Sequence, residues 1–204
     1  MAELEMPHRD LWFREMAGLL GALPAHDLME RVEARYAALY RSRTRYDHPA
    51  LAQHLEENIL PGLALYQELR QDGHHEQAAL KTVERLFTVP MHRMRRLMER
   101  IGRLPFFFWL VRTATRRFMA RNFPAPGWDV SWPDAGRHVV AFDMHSCFYL
   151  DVLTEYGAPE LTSVYCRLDH LIYDDVSPHV RWQRTRTLAQ GGDCCDFRFY
   201  RQKD

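Results

Sequence analysis

The sequence predicts an α+β fold, in which a helical first part is followed by a small antiparallel sheet with helices packed on it. Apolar residues recur at helical spacing through the first 120 residues. After about residue 136, short alternating apolar runs bounded by glycines are typical of strands. A stretch rich in proline, glycine and tryptophan, residues 122–136, separates the two patterns. We therefore expect helices up to about residue 121 and a sheet confined to residues after about 136.

Helix boundaries in the first part are predicted from capping residues. Asp27 followed by Glu30 fits a capping box that would open a helix. Asp47 with Pro49 fits an N-cap with proline in the first turn, and that second helix should end near Gly73. The sequence thus predicts a helical extension over residues 1–48 and a second domain over residues 49–204.

Two of the prolines in the helical part, Pro61 and Pro90, interrupt runs of helical periodicity. Proline lacks a backbone N–H and clashes with the preceding turn, so Pro61 should kink or split the helix that contains it. For the same reason we expect a helix from about His75 to Phe87 to end before Pro90, with a new helix after it.

The second part alternates strands with short helices. Ser146 is a candidate cap for the first of these helices, and Gly157 a candidate for its end. A two-residue Gly191-Gly192 turn should join the last two strands. Strands are predicted at 138–145, 180–189 and 194–200, and helices at 147–156 and 159–174.

Composition and charge exclude several classes of protein. The 204-residue chain carries 27 basic and 27 acidic residues, which argues against a general binder of polyanions. Glu3 and Glu5 stand where a signal peptide would carry positive charge, and the run Leu104–Val111 is too short to span a bilayer. Four cysteines are too few for a disulfide scaffold. We expect a cytoplasmic protein with reduced thiols and with neither a nucleic acid nor a membrane as partner.

One basic stretch stands out against this neutral background. Arginines are dense from Arg93 to Arg121. The stretch lacks a groove-reading motif, and acidic residues elsewhere balance its charge, so we interpret it as a solvated helical face.

Two arginines fall on an apolar face of the predicted hairpin. If Gly191-Gly192 is the turn, Arg184 and Arg186 point to the same side as Cys195 and Phe197. Buried arginines are costly without anions, so the arginines would suit a pocket for a carboxylate. The alternative is that they pair with internal acidic residues or are turned outward by a bulge.

Cys147 is a candidate nucleophile. A helix capped by Ser146 would place the thiol in the first turn, where the helix N-terminus stabilises a thiolate. Asp143, His145 and Cys147 would face one way if the strand continued, in the order of an orienting acid, a base and a nucleophile. The alternative is that Cys147 is a small buried apolar residue.

The helix after Pro159 carries a second group of polar residues. Cys166, Asp169, His170 and Tyr173 follow the spacing i, i+3, i+4 and i+7, so they share one face that would line either a cleft or a wet helix edge. Zinc-type ligands are present among the candidates, but without the usual short spacing, so we expect no metal and no cofactor. Those ligands are His145, Cys147, Cys166, His170 and Cys195.

Together these residues resemble the L-2-amino-thiazoline-4-carboxylic acid hydrolase family over about residues 50–200. The resemblance is carried by Cys147, Glu160-Leu161, Cys166-Arg167-Leu168-Asp169, Arg184-Thr185-Arg186-Thr187-Leu188 and the run from Gly191 to Phe197. A helical segment, Ile59 to Leu69, is also similar to the upstream part of that family. The chain differs from the pattern in its Cys194-Cys195 doublet and in Phe148 after Cys147.

The resemblance implies hydrolytic opening of a small cyclic amidine or thiazoline that bears a carboxylate, in amino-acid or natural-product metabolism. Either Cys147 would attack the ring carbon or Asp169 would activate water. Arg184 or Arg186 would hold the carboxylate, and Asp196 would orient an arginine or bind the amino group. By position the family residues map to Cys147, Cys166, Asp169, Arg184, Cys195 and Asp196. The competing predictions are a non-catalytic small-molecule or metal-binding module and a partner protein of a biosynthetic cluster.

Overall fold

The computed structural model describes residues 4–202 and divides the chain into two compact units, Met1–Val89 and Pro90–Asp204. The predicted start of a second domain at residue 49 therefore does not coincide with the division of the structure, and it stays a prediction about the family-like region. No helix among the described residues is long and apolar enough to cross a membrane.

The first unit is helical. Its elements are α1 (Arg9–Leu20), α2 (Ala22–Ser42), α3 (Pro49–Gln53), α4 (Leu60–Gln71) and the beginning of α5 (Glu76–Gly102). Helices α2 and α4 pack on each other through apolar residues such as Val32 and Leu63, which are fully buried. Glu68 of α4 is buried as well and accepts hydrogen bonds from Arg31 and Arg35 of α2, which compensates the cost of burying its charge.

The predicted caps of the first unit need correction. Helix α2 begins at Ala22, after Gly21, so Asp27 lies inside the helix and opens no capping box. The cap of α3 is His48 rather than Asp47, and its side chain accepts a hydrogen bond from Ala50 N at 3.2 Å. The predicted end near Gly73 is confirmed, since α4 ends at Gln71 and Gly73 has φ +85°.

Pro61 and Pro90 have different effects on their helices. Before Pro61 the helix changes to a π-helical segment, His54–Ile59, whose wider turn accommodates the proline, so the predicted interruption is confirmed. The predicted break at Pro90 is wrong, because α5 runs through Pro90 as one helix to Gly102. An interior proline forfeits one backbone hydrogen bond, and the other turns of this 27-residue helix continue on both sides of it.

The second unit contains the sheet. After α6 (Phe107–Asn122), strands and helices alternate, and the four strands form one antiparallel sheet in the order β1-β2-β4-β3. These elements are β1 (Val130–Ser131), β2 (Val139–Met144), α7 (Phe148–Glu155), α8 (Thr162–Tyr173), β3 (Val180–Gln183) and β4 (Cys195–Arg201). The α+β class is confirmed. The short strand β1 lies before residue 136, where no strand was expected.

The predicted hairpin has the wrong register. A two-residue Gly191-Gly192 turn would pair Arg184 with Phe199. In the structure, β3 ends at Gln183 and Trp182 pairs with Phe199 instead, a shift of two residues. A 3₁₀ turn, Leu188–Gln190, precedes Gly191 in place of a two-residue connection. Side chains alternate along a strand with a period of two, so a shift of two residues leaves the side chains of β3 itself on their predicted faces, whereas Arg186, after the end of the strand, is not held there.

The two faces of the sheet differ in chemistry. Aromatic side chains cover one of them, which we call the site face: Phe142 and Phe197 stack at 4.8 Å between ring centroids, and Trp182 lies 6.1 Å from Phe197. Tyr173 of α8 packs edge-on against this face. The opposite face carries Asp143, Asp196 and Arg198 from β2 and β4.

Candidate active site

A buried arginine forms the centre of the candidate site. Only 3% of the Arg184 side chain is exposed. Its Nη1 donates to Asp169 Oδ2 at 2.5 Å and its Nη2 to the Cys166 carbonyl oxygen at 2.8 Å. The guanidinium also lies 5.2 Å from the ring centre of Phe197 and 5.5 Å from that of Trp182. Arg184 thus joins the site face of the sheet to α8.

Asp169 is ionisable and partly accessible. Burial raises the pKa of its carboxyl group, and the Arg184 charge and hydrogen bond lower it, with the pKa remaining above the ordinary value. About a third of its side chain, 35%, remains open to solvent. One carboxylate oxygen is bound to Arg184, whereas Oδ1 accepts no hydrogen bond from any residue between 4 and 202. This oxygen can receive a proton from a bound molecule.

Three thiols surround the pair of Arg184 and Asp169. Burial is the main cause that raises the pKa of Cys147 to about 11 and that of Cys166 to about 12, and the pKa of Cys195 is raised for the same reason. The Cys166 thiol interacts electrostatically with all four other members of the group. These residues, which are scattered in the sequence, therefore lie near one another. At neutral pH each thiol in this group is protonated.

Cys147 lies one position earlier in its helix than predicted. It is the N-cap of α7 in extended backbone geometry, so the expected cap, Ser146, lies outside the helix and accepts instead from Asp129 N at 2.7 Å. The N–H groups of Leu150 and Tyr149 lower the pKa of the thiol, but less than burial raises it. No hydrogen bond of standard cap geometry is formed by the sulfur.

Tyrosines complete the wall of the site, and two of them were not predicted. Tyr149 and Tyr165 lie with their ring centres 4.6 Å apart. Burial raises the pKa of Tyr149, and the nearby Cys147 and Asp169 raise it further; burial and Asp169 do the same for Tyr173. Only Tyr173 belongs to the predicted polar stripe. Tyr149 could have been found from its place two residues after Cys147, in the first turn of α7.

A cavity of about 160 Å³ opens next to this cluster. Cys166 and Arg184 form its inner side, and His170 and Arg167 lie around it. Its remaining lining is polar or small: Ser163, Thr185, Thr187, Ala189 and Gln190. Cys147, Cys195 and Asp169 are not part of its wall, so the cavity adjoins the thiol cluster through Cys166 and Arg184.

Asp196 holds the connection between the last two strands. Its Oδ1 accepts from the backbone N–H of Thr185 at 2.8 Å and of Arg186 at 2.6 Å, and its Oδ2 accepts from the Thr185 hydroxyl at 2.6 Å. Burial raises the pKa of Asp196, but these hydrogen bonds lower it by more, so the pKa lies below the ordinary value. The carboxylate fixes the chain next to Arg184, and the cavity wall does not include it.

Arg186 and His170 lie nearer to solvent than Arg184 does. Arg186 is 47% exposed and pairs with the exposed Asp193, so it turns away from the site face, as the alternative interpretation of the hairpin allowed. His170 lines the cavity, packs edge-on against Trp182 at 4.8 Å, and shares a hydrogen bond of 3.0 Å with Asp174.

Asp143 and His145 do not accompany Cys147, so the expectation that the three face one way is wrong. Asp143 pairs across the sheet with Asp196, on the opposite face, and forms an ion pair of 2.7 Å with Arg198. His145 is exposed and shares a hydrogen bond of 2.8 Å with Ser131. The strand ends at Met144, and the alternation of side chains that supported the expectation ends there too.

Metal-type ligands do not come together at the thiols. Within residues 4–202, one group brings three such ligand atoms within 4.8 Å of one another, and it consists of the exposed side chains of His26, Asp27 and Glu30. These residues belong to α2 of the first unit.

Comparisons with known proteins identify one family. A family model described as L-2-amino-thiazoline-4-carboxylic acid hydrolase matches residues 52–199. No curated protein matches the chain. Among solved structures, the crystal structure of an Fe(II) unliganded H-NOX protein from K. algicida aligns over 98% of both chains, with 9% sequence identity and a TM-score of 0.33. A superposition this loose supports no argument about fold or function.

Proposed function

The chain belongs to the L-2-amino-thiazoline-4-carboxylic acid hydrolase family, and we propose that it opens a small thiazoline-type ring bearing a carboxylate by hydrolysis. The observation that carries the proposal is the assembly of Asp169, Arg184 and three thiols beside a small polar cavity, inside the region that matches the family. A role in amino-acid or natural-product metabolism is part of the same proposal.

The proposed reaction takes place at the ring carbon between nitrogen and sulfur. A water oxygen bonds to this carbon, the carbon–sulfur bond breaks, and the carbon becomes the carbonyl of a urea. The water loses two protons in all: one ends on the ring nitrogen, which becomes a urea N–H, and the other is taken up by the ring sulfur, which leaves as a thiolate. The protein must therefore remove a proton from water and return it to sulfur.

Asp169 is the proposed general base. A base works best when its pKa approaches the working pH, and the pKa of Asp169 is raised by burial. Its Oδ1 is available, while Arg184 fixes Oδ2 and favours the ionised form. Because Asp169 is not part of the cavity wall, the water that it activates must lie between Oδ1 and the cavity. Once protonated by water, the carboxyl group holds the proton that the leaving sulfur requires.

A covalent route through Cys147 is the rival mechanism. It needs a thiolate, and with the pKa of Cys147 near 11 only about one molecule in 10⁴ carries one at pH 7. In the mechanism proposed here the three thiols are neutral: Cys166 lines the wall of the cavity that receives the ring, and Cys147 and Cys195 lie beyond that wall. Thiols and aromatic rings exclude competing water from such a wall.

The carboxylate of the substrate is proposed to bind on the cavity side of Arg184. Arg184 contributes positive charge there even while it is paired with Asp169, and Arg167 and His170 lie on the same cavity. Arg186 is not needed, because its guanidinium points to solvent and Asp193. The volume of about 160 Å³ fits a small ring and little more.

Turnover of L-2-amino-thiazoline-4-carboxylate tests the proposal. The product gains the mass of one water and a free thiol, so mass spectrometry and a thiol reagent report it independently. We expect turnover by the wild type and by Asp193→Asn, an exposed control, and loss with Asp169→Asn. If no 2-amino-thiazoline carboxylate is hydrolysed, the proposed reaction is wrong. Tight binding without turnover would favour the alternative, a non-catalytic small-molecule module.

A further inference from the structure

The exposed apolar side chains of the second unit are concentrated in one segment. Between residues 90 and 202, every large apolar side chain that is strongly exposed lies between positions 94 and 118, with exposed fractions of 49 to 60%. The members are Met94, Leu97, Phe106, Trp109 and Phe118. Exposed apolar side chains grouped in this way typically mark a contact surface.

The same segment concentrates positive charge. Residues 100–128 contain six arginines and neither aspartate nor glutamate, although the whole chain is neutral. All six arginines are exposed: Arg100, Arg103, Arg112, Arg116, Arg117 and Arg121. A local excess of this size creates a strongly positive field at the surface.

Helix α6 places both kinds of side chain on its outer face. Trp109, Arg112 and Arg116 follow the spacing i, i+3 and i+7, so they form one stripe. Phe108 and Met119 are buried on the other side of the helix. We call the exposed side chains of residues 106–117 the basic aromatic face.

We propose that the basic aromatic face binds the surface of an anionic lipid bilayer, with α6 lying in the plane of the headgroups. Helices with arginine beside exposed tryptophan, phenylalanine and leucine are typical of this position. Tryptophan favours the headgroup level, and arginine reaches lipid phosphates with its long side chain. The proposal departs from the sequence-based expectation, which included no membrane partner.

The apolar members favour lipid over nucleic acid. Proteins that hold single-stranded nucleic acid stack bases on aromatic rings. Met94 and Leu97, in the part of α5 that precedes this face in the chain, offer no ring for stacking, yet they are about as exposed as Phe106. Lipid chains accept aliphatic and aromatic side chains alike. The charge of the face complements anionic headgroups in particular.

Two arginines of the face also make internal contacts, and these leave donors for phosphate. Arg112 donates from Nη1 to the Arg137 carbonyl oxygen at 2.5 Å, and Arg116 lies over the Trp132 ring at 4.8 Å. A guanidinium has five N–H donors, so one such contact does not exhaust it.

Co-sedimentation with lipid vesicles tests the proposal on the full chain. One set of vesicles contains phosphatidylcholine alone. In the other set, about one third of the lipid is phosphatidylglycerol and the rest is phosphatidylcholine. We expect binding to the anionic set only, weakened by added salt, and at least about tenfold weaker for the double variant Trp109→Ser/Arg117→Glu. The control is Leu23→Ser, at an exposed apolar residue of the first unit (79% exposed), which should bind like the wild type.

Tryptophan fluorescence supplies a second readout. Trp109 is 60% exposed and Trp132 is half-buried, whereas Trp12, Trp128 and Trp182 are buried, so most of a blue shift on vesicle addition should be lost in Trp109→Phe. The proposal is overturned if the wild type ignores anionic vesicles, binds neutral ones equally, or binds them as well in the double variant. Binding of a single-stranded oligonucleotide without binding of vesicles would identify a nucleic-acid face instead. Circular dichroism confirms that each variant is folded.

Discussion

Asp169 and Asp196 belong to the same unit and both carboxylates have protein partners, yet their surroundings have opposite effects on the pKa. Three hydrogen bonds from residues 185–186 lower the pKa of Asp196 below its ordinary value. Asp169 has one arginine partner and keeps a raised pKa. Carboxylates whose surroundings separate their pKa values in this way often have different roles. The difference suggests that Asp196 stabilises the structure and that Asp169 is available for proton transfer.

The largest expected effect separates the two residues by activity. Asp169→Asn keeps an oxygen that accepts from Arg184 but removes the base, so kcat should fall at least about 100-fold. The measurement is steady-state hydrolysis of the thiazoline, with folding checked by the thermal midpoint. Asp169→Asn with full activity would remove Asp169 from the mechanism.

The second effect concerns stability. Asp196→Ala leaves the N–H groups of Thr185 and Arg186 without their acceptor, so the free energy of unfolding should fall by about 3 kcal/mol. Urea denaturation measures this change. The control Asp193→Ala removes an exposed ion pair and should change it by less than about 0.5 kcal/mol. Equal effects of the two variants would refute the structural role of Asp196.

The pH dependence of stability sharpens the same point. The folded-state pKa of Asp196 lies below its unfolded value, so its stabilising contribution is complete above about pH 5 and is lost as the pH falls through the folded-state pKa. The difference in unfolding free energy between wild type and Asp196→Asn should therefore be constant from about pH 5 to 8 and shrink towards about pH 3. If this difference in unfolding free energy grew on acidification, it would contradict the stabilising role assigned to ionised Asp196.

The smallest expected effect is at Cys147. If its thiol only shapes the site, Cys147→Ser should keep kcat within about threefold of the wild type. A loss of about 100-fold with the fold intact would instead support the covalent route. Single-turnover experiments with mass spectrometry of the intact protein would then look for the adduct.

Periodicity predicted what depends on local sequence. The α+β order, the stripe of Cys166, Asp169 and Tyr173, and the face on which Arg184 lies all follow from helical or strand spacing. The predicted side of the sheet for Arg184 is correct despite a register error of two residues, because side-chain direction repeats every two residues.

The partners of Asp143, Arg184 and Tyr149 depend on tertiary contacts, which the sequence alone could not predict. Asp143 was assigned a catalytic role from its spacing to Cys147, but Arg198 of a strand distant in sequence is its partner. Arg184 was assigned to a substrate carboxylate, and a carboxylate does bind it, that of Asp169. Tyr149 joins the site only because α7 packs on α8. None of these pairings leaves a periodic signal.

The pH profile of kcat/KM tests the central claim most directly, because the two mechanisms ionise in different ranges. With Asp169 as base, kcat/KM should fall on the acid side and level off as the carboxyl group ionises, without a steady rise across about pH 7 to 9, in the wild type and in Cys147→Ser alike. A thiolate nucleophile with a pKa of about 11 predicts a rise of about tenfold per pH unit across the same range. A level profile supports the carboxylate, and a rising one that Cys147→Ser abolishes would contradict this account.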